Sequence, residues 1–311
     1  MFSLFYWLLV IILHNIYLYI WHSDTNAIPT CKKEIYKYIL DNEAFTHEAN
    51  IYRMGNLQSN KVIIFLSGSF QFSFDIYMQK ILKDLLVVDD IRNNYQLIIF
   101  EKENKQSFIC APDVQSYIRT LNNGKKMDEL TLFGFSSGGS IVSHILAGLK
   151  DIKCKKKIIT FDTPYHVMEN VLSYKNTNWL FRPDIYFYYV IMKMYVKHYN
   201  YHEIKQFLKH DNWTDGAKEF LEMIFKIHNL TEDEFYQLSG FNFDQDANTK
   251  IISIYCEKDP IVNREISDAY IKKNSNGFKI VNDCKKGIIG HCSDMWSSTF
   301  DIYSIVKHIK Y

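Results

Sequence analysis

An α/β fold with a mostly parallel central sheet flanked by helices is what this sequence predicts, and three observations carry the prediction. Short, continuously apolar runs recur along the chain, amphipathic stretches of helical length alternate with them, and one long interval interrupts the alternation. The chain has 311 residues, enough to bury a sizeable core in one large domain or two small ones. Apolar residues make up 47% of it and charged residues 23%, and only 5 prolines and 12 glycines are present, which argues against long flexible linkers.

The first element precedes the alternation. Met1 to Trp21, MFSLFYWLLVIILHNIYLYIW, contains no Asp, Glu, Lys or Arg, and about 20 apolar residues span a bilayer as a helix. Trp7, Tyr17, Tyr19 and Trp21 suit an interfacial aromatic belt. The run lacks a basic n-region and exceeds a typical signal core, so residues 1–22 are expected to form an uncleaved membrane anchor, with a cleaved signal and secretion as the alternative. Lys32 and Lys33 follow the run, which would hold the body in the cytosol under the positive-inside tendency. Asn212-Trp213-Thr214 and Asn229-Leu230-Thr231 have the form of glycosylation acceptors, which suits a lumenal body. The expected location is a secretory-system membrane such as the endoplasmic reticulum.

From about residue 45 the alternation begins. KVIIFLSGS (61–69), YQLIIFEKE (95–103), ELTLFGF (129–135), KKIITFDTP (156–164), KIISIYCEKDP (250–260) and GFKIVND (277–283) are short runs with β-branched or aromatic cores. Such runs fit strands buried on both faces of a parallel sheet. Between them lie FDIYMQKILKDLLVV, DVQSYIRTLNN, GSIVSHILAGLK and REISDAYIKKN, each of helical character, and STFDIYSIVKHIKY closes the chain as a helix. Residues 167–248 contain no strand-like run and are rich in Tyr and Phe. They are expected to form a helical cap insertion, in which Thr231 and Glu234 make a capping-box pair at a helix start. Most of its aromatics are expected to serve as core, since a helix pair needs an apolar face to pack.

Composition removes several function classes. Lys and Arg number 36 against 35 acidic residues, so no charge excess points to nucleic acid. The six cysteines, Cys31, Cys110, Cys154, Cys256, Cys284 and Cys292, show no metal-type spacing. HEANIY and HEIKQF lack the second His of a zinc protease, and neither a dinucleotide fingerprint nor a phosphate loop is present. No metal and no cofactor is expected.

One motif carries chemistry. Gly134-Phe135-Ser136-Ser137-Gly138-Gly139 follows the strand-like ELTLF and precedes the helix-like SIVSHILAGL. A serine nucleophile must project from a sharp strand-to-helix turn whose backbone tolerates only small neighbours two residues to either side. Gly134 and Gly138 meet that need around Ser136. Ser137 is then the following residue, and its N–H at the helix start favours a developing oxyanion.

With this motif in its α/β setting, the sequence from about residue 45 onward resembles the α/β-hydrolase superfamily. The resemblance implies a hydrolase core of residues 45–166 and 249–311 with the cap of 167–248 set into it. It also implies a triad in the order Ser, acid, His. Asp259, in YCEKDP after a late strand-like run, takes the acid position, and Pro260 biases it away from helical geometry. His291, after Gly290 in the final loop, takes the base position. Asp162, in FDTP, is the rival acid, because some members of the superfamily carry it there, and Glu257 is a weaker one. The second oxyanion donor would come from Ser67-Gly68-Ser69-Phe70, at Ser69 or Phe70, where many members have His-Gly. The implied activity is hydrolysis of an ester-type acyl bond through an acyl-enzyme. The apolar segment, near-zero charge and aromatic-rich insertion favour an apolar acyl or lipid ester as substrate, as in a lipase or esterase. The alternative is a catalytically silent, hydrolase-like membrane protein that binds a lipid or a protein partner.

Overall fold

Eight strands form one continuous sheet in the order β1-β2-β4-β3-β5-β6-β7-β8. The computed structural model describes residues 31–40, 44, 46–66, 76–102, 111–173, 231–254, 262–274, 280–282, 306–307 and 309–310. The strands are β1 (Lys32–Tyr38), β2 (His47–Gly55), β3 (Lys61–Leu66), β4 (Gln96–Lys102), β5 (Glu129–Phe135), β6 (Lys155–Phe161), β7 (Lys250–Ile254) and β8 (Ile280–Asn282). From β4 through β8 every neighbouring pair is parallel, whereas β1 pairs with β2, and β2 with β4, antiparallel. All six strand-like runs of the sequence are strands of this sheet.

The parallel strands read as continuous apolar runs because helices cover both of their faces. Every residue of β5 is buried. Its Leu130 and Leu132 join one core cluster with Val62, Ile64, Ile98 and Ile158. Phe133 and Phe135 point the other way, into a second cluster with Ile63, Phe65, Ile159 and Phe161. The first cluster is covered by α3 (Ala111–Gly124) and α4 (Gly138–Ala147), and the second by α1 (Ile76–Val87), α2 (Asp89–Asn94) and the end of the chain at Val306 and Ile309. Burial of each such side chain stabilises by about 1.5–3 kcal/mol before the entropy of ordering is subtracted.

Two strands were not anticipated from the sequence. β1 and β2 lie at the sheet edge, where one face is only partly covered, and their sequences alternate instead of running apolar. At the opposite margin of β5 and β6, Lys157 donates to Glu129 at 2.8 Å and to the carbonyl of Ile309, with both charged side chains more than nine-tenths buried.

The chain segments around His166 and Gly240 meet at one point. His166 and Gly240 form an antiparallel bridge, with the Val167 N–H donating to Ser239 O at 3.0 Å and Phe241 N–H to Tyr165 O at 2.7 Å. Two short helices flank it, α5 (Val167–Ser173) and α6 (Glu232–Leu238). The capping box is formed: Glu234 N–H donates to Thr231 Oγ1 at 3.2 Å, and Glu234 Oε2 accepts from Thr231 N–H at 2.8 Å. After the bridge the chain packs back on α4, with Phe241 buried and Asn242 N–H donating to Ser143 Oγ at 2.7 Å. Residues 174–230 of the expected helical cap, and Asn212 and Asn229 with them, lie outside the described residues. α7 (Arg264–Asn274) follows β7. Among the described residues no helix is long and apolar enough to cross a membrane, and Met1 to Trp21 lies outside them.

Two histidines hold the bridge. His144 Nε2 lies 2.8 Å from Gly240 O, and His166 Nδ1 accepts the Glu169 N–H at 3.1 Å. Burial pushes the pKa of both below the ordinary histidine value, only partly offset by carbonyl partners and, for His166, by Glu169. Both are therefore neutral in the fold, and the unfolded chain takes up protons first as the pH falls. Their contribution to stability is full above about 6.5 and is lost as the pH drops through the lower folded values. Urea unfolding at pH 7.5 and 5.5 is expected to show a lower midpoint at the acid pH, with a smaller difference in the His144→Gln, His166→Gln double variant.

Candidate active site

The turn after β5 is built by close approach of backbone to backbone. A Cβ placed on Gly134 would lie 2.6 Å from Gly138 O and 2.6 Å from Gly139 Cα, so no side chain fits there. One on Gly139 would run into the side chain of Thr163, in the turn after β6. These contacts let α4 start directly over the end of β5. Ser136, between them, has φ 51°, a left-handed conformation that costs a non-glycine residue of order 1–3 kcal/mol. Its N–H donates to Phe161 O at 2.9 Å, and its carbonyl accepts from Gly139 N–H at 3.0 Å. The strain is thus held by β6 on one side and by the first turn of α4 on the other.

Ser136 and Ser137 are both half-buried, while their neighbours Phe135, Gly138 and Gly139 are buried. Ser137 is the cap of α4, with φ −59° and ψ −23°, and its hydroxyl does not cap the helix. No acidic residue stands in the first turn of α4, so the partial positive charge of the helix start is not neutralised from within the helix. Strand order places this turn at a switch point: β3 is followed by β4 on one side and β5 lies on its other side. Ligands of open α/β sheets bind outside the carboxyl ends of the strands at such a point. β3 ends at Leu66, paired in register with Gly134, so β3 and β5 end side by side.

Asp162 is the second non-glycine residue with a left-handed backbone among the described residues, at φ 44°. Phe161 pairs in register with Phe135, so Asp162 occupies the row of Ser136 one strand over. It is fully buried, and its N–H donates to Ile254 O at 2.9 Å, at the end of β7. β5, β6 and β7 therefore end together at one level. Asp259 follows Ile254 by five positions and His291 follows Asn282 by nine. Asp259, Glu257, His291, Ser69 and Phe70 lie outside the described residues, so the site residues placed here are Ser136, Ser137 and Asp162. The role of Thr163 in locking Gly139 was missed in the sequence. The doubled glycine opposite FDTP is the signal that carried it.

A surface groove of about 700 Å³ is lined by Arg119, Asn122, Asn123, Lys126, Asp151, Ile152 and Lys153. It lies past the C-terminal end of α4, at the far end of that helix from Ser136, and Arg119 in it is already paired with Asp151 and with Gly148 O. It is not the site the strand ends define.

The sheet, its helices and the strand-turn-helix at Ser136 make this an α/β-hydrolase fold, and solved structures agree. An esterase of Pyrococcus furiosus superposes with a TM-score of 0.57 at 13% identity over 90% of this chain and 90% of its own. A thermophilic esterase from Thermogutta terrifontis gives 0.51 at 13% identity over 89% and 98%. The Pyrococcus horikoshii acylaminoacyl peptidase gives 0.56 at 11% identity over 92% of this chain but only 42% of its own. At such identities the likeness is one of fold. No family model and no curated protein matches the sequence.

The glycine packing has a direct test. Gly134→Ala is expected to destabilise by about 1–3 kcal/mol, the range for overpacking against groups that cannot move. Gly124→Ala, where nothing lies within 4 Å of the added Cβ, is expected to leave the urea midpoint unchanged or slightly raised.

Proposed function

We propose that the protein is a serine hydrolase of ester-type acyl bonds, acting on an apolar or lipid ester. The observation that carries this reading is Ser136 itself: a half-buried serine, held at φ 51° between a central parallel strand and a helix start, at the switch point of the sheet. A strained serine at that place is hard to explain by packing alone, since a glycine would adopt the same backbone without cost. Two of these structural neighbours are esterases, which supports an ester substrate, and the third is a peptidase, so the fold also accommodates amide chemistry.

In the proposed reaction Ser136 Oγ attacks the substrate carbonyl while His291 takes its proton. The tetrahedral oxyanion is held by the Ser137 N–H and by an N–H from Ser69 or Phe70. His291 then returns the proton to the leaving alcohol, and water, activated by the same imidazole, releases the acid. We assign the orienting carboxylate to Asp259. The end of β7 lies two strand spacings from β5, roughly 10 Å, which leaves room for an imidazole between carboxylate and hydroxyl. Asp162, a single spacing away and tied by its own N–H to β7, is the rival.

A fluorophosphonate probe tests the reading. Wild type is expected to be labelled and Ser136→Ala not, with both folded by circular dichroism; an unlabelled, folded wild type favours the silent, ligand-binding alternative. Asp259→Asn is expected to lower kcat for a short-chain aryl ester by about 10⁴-fold, as loss of the orienting acid does elsewhere, and Asp162→Asn by far less. The reverse order would move the acid to Asp162. A membrane location through Met1 to Trp21 belongs to the same proposal, since an apolar ester is met at a bilayer surface.

A further inference from the structure

Three contacts tie the turn after β6 to the turn after β5. Phe161 O accepts the Ser136 N–H at 2.9 Å, and the Thr163 hydroxyl donates to the same carbonyl at 3.4 Å. The Thr163 side chain closes the space in front of Gly139, where an added Cβ would run into Thr163 Oγ1 and lie 2.7 Å from Thr163 Cβ. One residue further on, Pro164 O accepts from Ser140 Oγ at 3.0 Å. Thr163 is fully buried, and the left-handed backbone of Asp162 ends β6 before it, so that its side chain meets α4.

We infer that Thr163 is a positioning residue for the Ser137 N–H in its role as oxyanion donor. The inference rests on the reading of Ser136 as the nucleophile. The carbonyl of Ser136 and the N–H of Ser137 belong to a single trans peptide group, which is planar, so the two point in opposite directions. Gly139 N–H donates to that carbonyl at 3.0 Å. Whatever holds Gly139 in place therefore sets the direction of the Ser137 N–H. Gly139 has no side chain of its own to hold it, and Thr163 is the group packed against its Cα. An oxyanion donor acts by being aimed in advance at the place where charge develops.

Threonine suits this place on two counts. Its branched Cβ is stiff at χ1, and the hydroxyl bond to Phe161 O selects the rotamer that turns Oγ1 toward Gly139. Serine keeps that oxygen, alanine leaves the gap open, and valine puts a bulkier methyl group where the oxygen stands. A residue that served packing alone would change stability and leave the chemical step untouched.

The test is steady-state hydrolysis of a short-chain aryl ester by the full chain, with urea unfolding of each variant. Thr163→Ala is expected to lower kcat by about 10- to 100-fold, the scale of a misplacement on the order of 1 Å. KM is expected to change by less than about threefold, because the oxyanion forms only in the transition state. Thr163→Ser is expected to keep kcat within about threefold of wild type. Ile158→Val, in the middle of β6, is expected to lower the urea midpoint with kcat unchanged, which separates stability from positioning. Wild-type kcat in folded Thr163→Ala, an equal loss in Thr163→Ala and Thr163→Ser, or a raised KM at unchanged kcat overturns the proposal and leaves Ser136 as the nucleophile. Should Thr163→Ala not fold, Thr163→Val takes its place: kcat lowered in valine and kept in serine supports the proposal, and any other order overturns it. A folded wild type that neither turns over the ester nor takes a fluorophosphonate label overturns the reading of Ser136, and the proposal with it.

Discussion

The contact on which the site depends is the one beneath Ser136, where Gly134 meets the backbone of Gly138 and Gly139. With 2.6 Å available to a Cβ at Gly134, only hydrogen fits, and the helix axis can begin where the strand ends. That closeness forces the intervening residue into a left-handed turn and lifts its side chain out of the sheet. A one-carbon addition would push α4 away, and the turn would relax into an ordinary loop. The chemistry proposed for Ser136 thus depends on two side chains that are absent, those of Gly134 and Gly139.

The neighbouring strands share the load. β6 supplies the carbonyl of Phe161 to the Ser136 N–H and the side chain of Thr163 to the Gly139 gap, and its Asp162 adopts a left-handed backbone of its own. Two strained residues in one row, of order 1–3 kcal/mol each, persist only on a support that cannot yield. That support is the pair of aromatic and aliphatic layers on the two faces of β5. A buried ion pair, Lys157 with Glu129, sits toward the other end of the strands, where it is closed by Ile309 O and fastens the chain end to the sheet.

What the sequence made legible follows from periodicity. Parallel strands buried on two faces are uninterrupted apolar words such as KVIIFL and ELTLF, and all six were readable. β1 and β2 were not, because KKEIYKY and HEANIYRMG carry charged residues on both faces, and such a pattern gives little hydrophobic signal in isolation. The turn at Ser136 was readable because its glycines are required by contact and not merely permitted. The acid was ambiguous for a physical reason: FDTP and CEKDP both put an aspartate just past a parallel strand, and the spacing of strands that ranks them is a property of the sheet order. The bridge of His166 to Gly240 could not be anticipated either, since it joins residues 74 positions apart across the insertion.

The central claim is that the hydroxyl at this turn forms a covalent acyl intermediate. Rapid quench of the protein with a slow aryl ester, followed by intact and peptide mass measurement, examines it directly. The account predicts one acyl group per chain, formed in a burst and located on Ser136. Turnover with no acyl adduct, or an adduct on any other residue, would contradict it.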